Sequence, residues 1–222
     1  EASENELLIV GVPVYFGRVQ ASAAEWLNTI KGRNTLAVCV VVYGNREYDD
    51  ALLELKEILA GRGCIPVACA AYIAEHSFSS SETPIAAGRP DSDDLSKARS
   101  FGKKIGEKVA AASSIGQFSD ISVPGQRPYL DMKDSRERLS GVDLVSVDGD
   151  CVQCGWCARS CPVDAIDLDH SAAVDRTQCI LCHACIKNCP TRARRAKSEL
   201  IGNVAGRLSG ALQGRKEPAM FL

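Results

Sequence analysis

The sequence predicts an α/β protein in which a parallel sheet precedes a small cysteine-rich α+β domain and a C-terminal helix. Three observations support this. Apolar runs alternate with helical patterns over residues 1–112, eight cysteines form a doubled motif over residues 151–190, and a helical pattern covers residues 192–212. The predicted domains are residues 1–112 for the sheet domain, 113–142 for a linker, 143–192 for the cysteine-rich domain, and 193–222 for the C-terminal helix and tail.

The first domain alternates strand and helix signals. Its apolar runs, which lack strict alternation and so suit strands buried on both faces of a parallel sheet, are residues 7–10, 36–43 and 65–73. Helices are predicted at residues 21–30, 47–60 and 93–112. Trp26 and Leu27 are expected to face inward, and Gly61 to end the second helix. This order predicts an open sheet with right-handed crossovers.

Eight of the eleven cysteines form two copies of the pattern C-x2-C-x2-C-x3-C-P, 28 residues apart. The first copy contains Cys151, Cys154, Cys157 and Cys161, and the second contains Cys179, Cys182, Cys185 and Cys189. The pattern resembles the bacterial ferredoxin run, which binds [4Fe–4S] clusters. Disulfides do not require this doubled spacing, and zinc ribbons use paired C-x2-C without the further cysteines or the proline. We therefore predict two [4Fe–4S] clusters.

The ferredoxin resemblance also implies how the cysteines are shared, because the fourth cysteine of each run ligates the other cluster. The first cluster is expected to use Cys151, Cys154, Cys157 and Cys189. The second is expected to use Cys179, Cys182, Cys185 and Cys161. Cys39, Cys64 and Cys69 lie in or beside predicted strands, where we expect them to be buried as small apolar residues.

Two loops of the first domain combine small and aromatic residues at the carboxyl ends of predicted strands, where open α/β sheets bind ligands. Residues 5–112 resemble the flavodoxin-like fold from its third to its fifth strand. By that resemblance these loops hold a flavin, FMN, and the cofactor-binding positions are Tyr15, Gly17, Tyr43, Gly44, Asn45 and Tyr48.

One part of the flavodoxin pattern is missing from this sequence. That fold begins with a strand and a phosphate-binding loop, and no such segment precedes residues 7–12, which would then form an unprotected apolar edge. We expect an incomplete flavodoxin-like sheet in a chain that lacks the N-terminal part of the domain. The alternatives are a swapped or partner-supplied strand, or a degenerate domain.

The two parts together resemble the family of flavodoxin–ferredoxin fusion proteins of anaerobic bacteria and archaea. The resemblance implies a cytoplasmic electron-transfer protein that exchanges electrons with a redox partner protein. Two alternatives stay open, a flavin-dependent oxidoreductase acting on a small molecule and a ferredoxin module with a flavin-free docking domain. No catalytic residues are predicted. The sequence has no apolar run long enough for a membrane span and no basic stripe interleaved with aromatics for nucleic acid.

Overall fold

The computed structural model describes residues 1–3, 5–131, 145–171, 173–197 and 199–222, which group into two compact units. The first unit comprises Glu1–His76, Ala86–Met132 and Gly214–Leu222, and the second comprises Ser77–Ile85 and Lys133–Gln213. The predicted linker extends into residues 132–144, which lie outside the described part, so the predicted domain boundaries stay a prediction.

The first unit is built on a mostly parallel sheet, as the sequence predicts. Among the described residues, the five strands are β1 (Leu7–Tyr15), β2 (Arg18–Val19), β3 (Thr35–Tyr43), β4 (Cys64–Ile73) and β7 (Ala219–Phe221). Their order across the sheet is β2-β1-β3-β4-β7, with β1, β3 and β4 parallel and the two outer strands antiparallel. The predicted fold class is confirmed.

Helices cover both faces of this sheet: α1 (Ala21–Leu27), α2 (Ala51–Gly61) and α3 (Ser92–Ala111). Alternate residues of β3 enter two different apolar clusters, because successive side chains of a strand point to opposite faces. Cys39 and Val41 join the cluster that contains Leu52 and Leu55 of α2. Val38 joins the cluster that contains Phe101 of α3.

The structure corrects two local predictions. Helix α2 begins at Ala51 rather than at residue 47, because Asp49 has a left-handed backbone angle that interrupts the helix. Trp26 is 63% exposed, whereas Leu27 beside it is fully buried. Of the two residues of helix α1 that were predicted to face inward, only Leu27 is buried.

The outer edge of β1 is open over most of its length within the described residues. Strand β2 pairs only with Val14 and Tyr15. Leu7 is 38% exposed and Ile9 is 68% exposed. This agrees with the apolar edge that the sequence predicts, and such edges are usually covered in folded proteins.

The second unit contains a two-stranded antiparallel sheet and three helices in its described part. The strands are β5 (Val145–Val147) and β6 (Arg194–Ala196), and the helices are α4 (Trp156–Arg159), α5 (Ala184–Lys187) and α6 (Glu199–Ala211). Helix α6 is the predicted C-terminal helix. No helix in the described part of the chain is both long and apolar enough to cross a membrane.

Candidate iron–sulfur site

The ends of the two cysteine motifs pair with each other across the second unit. The first motif follows β5 and the second precedes β6, and these strands lie side by side. The backbone N–H of Asp148, before the first motif, donates to the carbonyl of Ala193, after the second, at 3.0 Å. Asp175, before the second motif, donates in the same way to Ala165, after the first, at 2.7 Å. The two halves are therefore interlocked.

The backbone of the two loops repeats along with the sequence. Left-handed residues occur in three pairs, and the members of each pair are 28 residues apart: Gln153 and Leu181, Gly155 and His183, Asp164 and Arg192. Gly155 and His183 each cap the short helix that follows, α4 or α5. Left-handed residues turn neighbouring N–H groups toward one side of a loop, and such concavities suit anionic centres. The 28-residue repeat is thus present in the backbone conformation as well as in the sequence.

Four thiols line one cavity of the second unit. Its walls carry Cys161 from the first motif together with Cys179, Cys182 and Cys185 from the second. The remaining lining is mostly apolar, including Val163, Ile166, Val174 and Ile180. The space is about 430 Å³ including its opening to solvent. The structure thus brings together the four cysteines that the sequence assigns to the second cluster.

The chemistry of this donor set fits a cluster better than a single ion. Within the described residues, no group of three or more His, Cys, Asp or Glu is placed to hold one metal ion. A [4Fe–4S] cluster instead takes four thiolates, one at each iron, spread around a larger body. Burial raises the pKa of the Cys182 and Cys185 thiols. Cluster binding at these two cysteines would therefore release their protons.

The four cysteines assigned to the first cluster differ in their exposure. Cys157 is buried, Cys151 and Cys189 are half-buried, and Cys154 is exposed. Although burial opposes it, the backbone N–H of Arg194 and the Thr191 hydroxyl lower the pKa of the Cys189 thiol. The assignment of these four as ligands stays a prediction.

Arg194 is a buried cation among these thiols that the sequence analysis missed. Its side chain is 3% exposed, and Nη1 lies 3.4 Å from Cys157 Sγ and also donates to the carbonyl of Ser171. Its Nε and Nη2 have no hydrogen-bond acceptor within the part of the chain that the structure describes. Orphaned donors on a buried guanidinium need an acceptor, and the anionic sulfur atoms of a cluster can supply one. The residues present therefore fit iron–sulfur clusters.

The predicted flavin positions lie together at one end of the sheet in the first unit. Tyr15 ends β1, and Gly17 follows it at a φ of 79°. A Cβ on Gly17 would lie 2.3 Å from the Asp49 carboxylate, so this turn packs closely against the segment before α2. Tyr43 ends β3, and its ring lies edge-on to that of Tyr48 at 5.4 Å between centroids.

The same end of the sheet is covered by the chain's own C-terminal segment, residues 214–216. The Asn45 Nδ2 donates to the carbonyl of Gly214 at 3.2 Å. The Lys216 Nζ lies 2.6 Å from the Glu47 carboxylate and 6.0 Å from the centroid of the Tyr43 ring. Tyr43 and Asn45 are 6% and 3% exposed.

The adjoining Gly44 leaves little space, because a Cβ there would lie 2.4 Å from the His76 ring. The residues therefore do not present an open cradle for FMN.

Comparison with known proteins bears on the cysteine-rich segment alone. Residues 150–193 match the family of 4Fe-4S dicluster domains. No curated protein and no solved structure matches the chain. The matched segment supports an iron–sulfur electron-transfer role. It contains all eight motif cysteines and ends one residue before Arg194.

Proposed function

We propose that the chain is an electron-transfer protein that carries electrons through two [4Fe–4S] clusters to and from a redox partner protein. The observation that carries this is the cavity in which Cys161 of the first motif joins three thiols of the second. The paired segments Asp148–Ala193 and Asp175–Ala165 support the same exchange of fourth ligands between the halves.

Each cluster would supply one-electron transfer. The residues of the chain would control the access of solvent and partner to the clusters and the charge around them. Cys151, Cys154, Cys157 and Cys189 would hold the first cluster. The apolar wall of the described cavity would limit water around the second, and water exclusion is one of the terms that set a cluster's potential. Cys154 is exposed, which favours electron exchange with a partner at the first cluster.

The test is the iron and sulfide content of cysteine-to-alanine variants, purified anaerobically. The unaltered chain is expected to hold about eight irons, and each single variant about four. If the fourth ligands are exchanged, Cys161→Ala combined with Cys179→Ala removes only one cluster. Cys161→Ala combined with Cys157→Ala then removes both. The opposite pattern would show that each motif holds its own cluster, and an unaltered chain without iron would reject the function.

A flavin-exchanging carrier and a carrier with a flavin-free docking unit are two versions of this function. The six flavin positions share one end of the sheet, which supports the first version. The contacts of Asn45 with Gly214 and of Lys216 with Glu47 favour the second, because FMN binding at these loops would require that segment to move. We accordingly expect the purified chain to contain no stoichiometric flavin.

Flavin content and an FMN fluorescence titration separate the two versions. The matched comparison is Lys216→Ala, which removes the contact to Glu47 and leaves the six predicted positions unchanged. Absence of binding to both chains would support the flavin-free docking unit. One flavin per unaltered chain would establish the flavin-exchanging carrier, and binding to the variant alone would identify the C-terminal segment as the obstacle.

A further inference from the structure

The internal repeat places a cation at a position where its counterpart is apolar. Arg194 follows Ile166 by 28 residues, and the alanines before them, Ala165 and Ala193, are both buried. Ile166 is 7% exposed and lines the cavity that contains four thiols. Arg194 is 3% exposed. The two halves of the repeat therefore differ by one positive charge at matching buried positions.

Arg194 contacts a thiol of the first predicted ligand set. Its Nη1 lies 3.4 Å from Cys157 Sγ, and its Nε and Nη2 have no acceptor in the described part of the chain. The guanidinium therefore lies against the ligand set of the first predicted cluster.

The charge of Arg194 is not balanced by an acidic side chain in the described residues. The neighbouring Arg195 differs, since it is 68% exposed and lies 3.4 Å from the Asp148 carboxylate. Arginine stays protonated in proteins, and a buried cation without a counter-charge is strongly unfavourable. A four-thiolate cluster is anionic, and it gains a further negative charge on reduction.

We propose that Arg194 raises the reduction potential of the first cluster above that of the second. This rests on the proposed function. A fixed positive charge and N–H donors near the cluster sulfurs stabilise the reduced form more than the oxidised form. Because Arg194 contacts Cys157, the first cluster is expected to be the first to be reduced. The clusters are inequivalent because Ile166 and Arg194 differ.

The experiment is a redox titration of the full-length, iron-loaded chain followed by electron paramagnetic resonance, together with iron analysis. The variants are Arg194→Gln, which removes the charge, Arg194→Ile, which copies the first repeat, and Arg194→Lys, which keeps the charge. Arg195→Gln removes a charge from the adjacent, exposed position and serves as the control. At a fixed potential, the ratio of reduced to oxidised first cluster is expected to fall about tenfold in Arg194→Gln, equivalent to ~59 mV for one electron.

The expected pattern is a lowered first potential in Arg194→Gln and Arg194→Ile, a smaller separation between the two potentials, and near-normal values in Arg194→Lys and Arg195→Gln. Iron loss in Arg194→Gln with retention and normal potentials in Arg194→Lys would likewise support a charge requirement. Unchanged potentials in iron-loaded Arg194→Gln would overturn the proposed role of Arg194. Iron loss in both Arg194→Gln and Arg194→Lys would overturn it as well. An unaltered chain without iron would instead reject the proposed function itself.

Discussion

At the scale of single residues, Gly155 and His183 show that the two loops share a backbone but not a sequence. Both have positive φ, 70° for Gly155 and 57° for His183. Such angles suit glycine and cost another residue about 1–2 kcal/mol. His183 is 7% exposed, and its ring lies 4.8 Å from that of Phe78 between centroids, a contact that offsets part of this cost. Gly155 has no side chain that could do the same.

We predict that Gly155→Ala destabilises the second unit by about 1–2 kcal/mol through this backbone angle. The new Cβ would lie 2.5 Å from Leu168 Cδ1, but that atom ends a half-exposed side chain and can move. The temperature at which cluster absorbance is lost is expected to fall by roughly 5 °C or more. Gly149→Ala is the matched control, because Gly149 has no positive φ and no described atom lies within 4 Å of the place a Cβ would occupy. Equal behaviour of the two variants would contradict the prediction.

At the scale of elements, α2 is fixed by a segment that carries no periodic signal. The backbone N–H groups of Gln126 and Leu130 donate to the Asp50 carboxylate at 2.9 and 2.7 Å. The Tyr129 hydroxyl donates to Glu57 on α2. These contacts explain why Asp50, which precedes the helix, makes no side-chain capping bond to it.

This packing gives Tyr129 an unusual titration. Burial, followed by its hydrogen bond to the Glu57 carboxylate, raises the pKa of Tyr129 to about 12. The folded pKa of Tyr129 lies above its unfolded value near 10. The free energy of folding that this pKa difference contributes is therefore fully present below pH ~10 and is lost as the pH rises through the folded pKa. We predict that Glu57→Gln lowers the pKa of Tyr129, as measured by ultraviolet titration of tyrosinate. The Tyr129→Phe variant identifies which titration step belongs to Tyr129. An unchanged pKa for that step in Glu57→Gln would show that the Glu57 carboxylate does not contribute to it.

Elements differ in how far the sequence could predict them. The runs of residues 36–43 and 65–73 predict β3 and β4 to within about a residue because long buried strands need continuous apolar sequence. Strand β7 has three residues, too few for a periodic signal, and it forms because β4 offers Cys69 to Ala71 as a pairing edge. The start of α2 was missed because the left-handed angle at Asp49 depends on tertiary packing.

The residues of the candidate site also differ in how far the sequence could predict them. The spacing of the motif cysteines predicts the set of thiols around the described cavity, because ligand spacing is written directly in the chain. Arg194 was missed since an arginine in a basic stretch is ordinarily exposed, and its burial depends on the pairing of β5 with β6. The comparison of the two repeats at Ile166 and Arg194 was the signal available in the sequence.

At the scale of the whole molecule, the eleven cysteines divide into two chemical classes. Cys39, Cys64 and Cys69 are buried in the sheet of the first unit, where Cys39 and Cys69 face each other in adjacent strands. The other eight belong to the doubled motif of the second unit. Thiols in a packed apolar core are protected by the fold, whereas thiols that bind iron are protected by the metal and by the structure that the metal stabilises.

Alkylation followed by mass spectrometry separates these two kinds of protection. In the iron-loaded chain under anaerobic conditions, we predict that all eleven cysteines resist modification. Chelation of the iron is expected to expose the eight motif cysteines while Cys39, Cys64 and Cys69 stay unmodified until denaturant is added. Modification of those three together with the eight would mean that the sheet of the first unit depends on the clusters for its stability. Reaction of several motif cysteines before chelation would mean that one cluster is not bound by four of them.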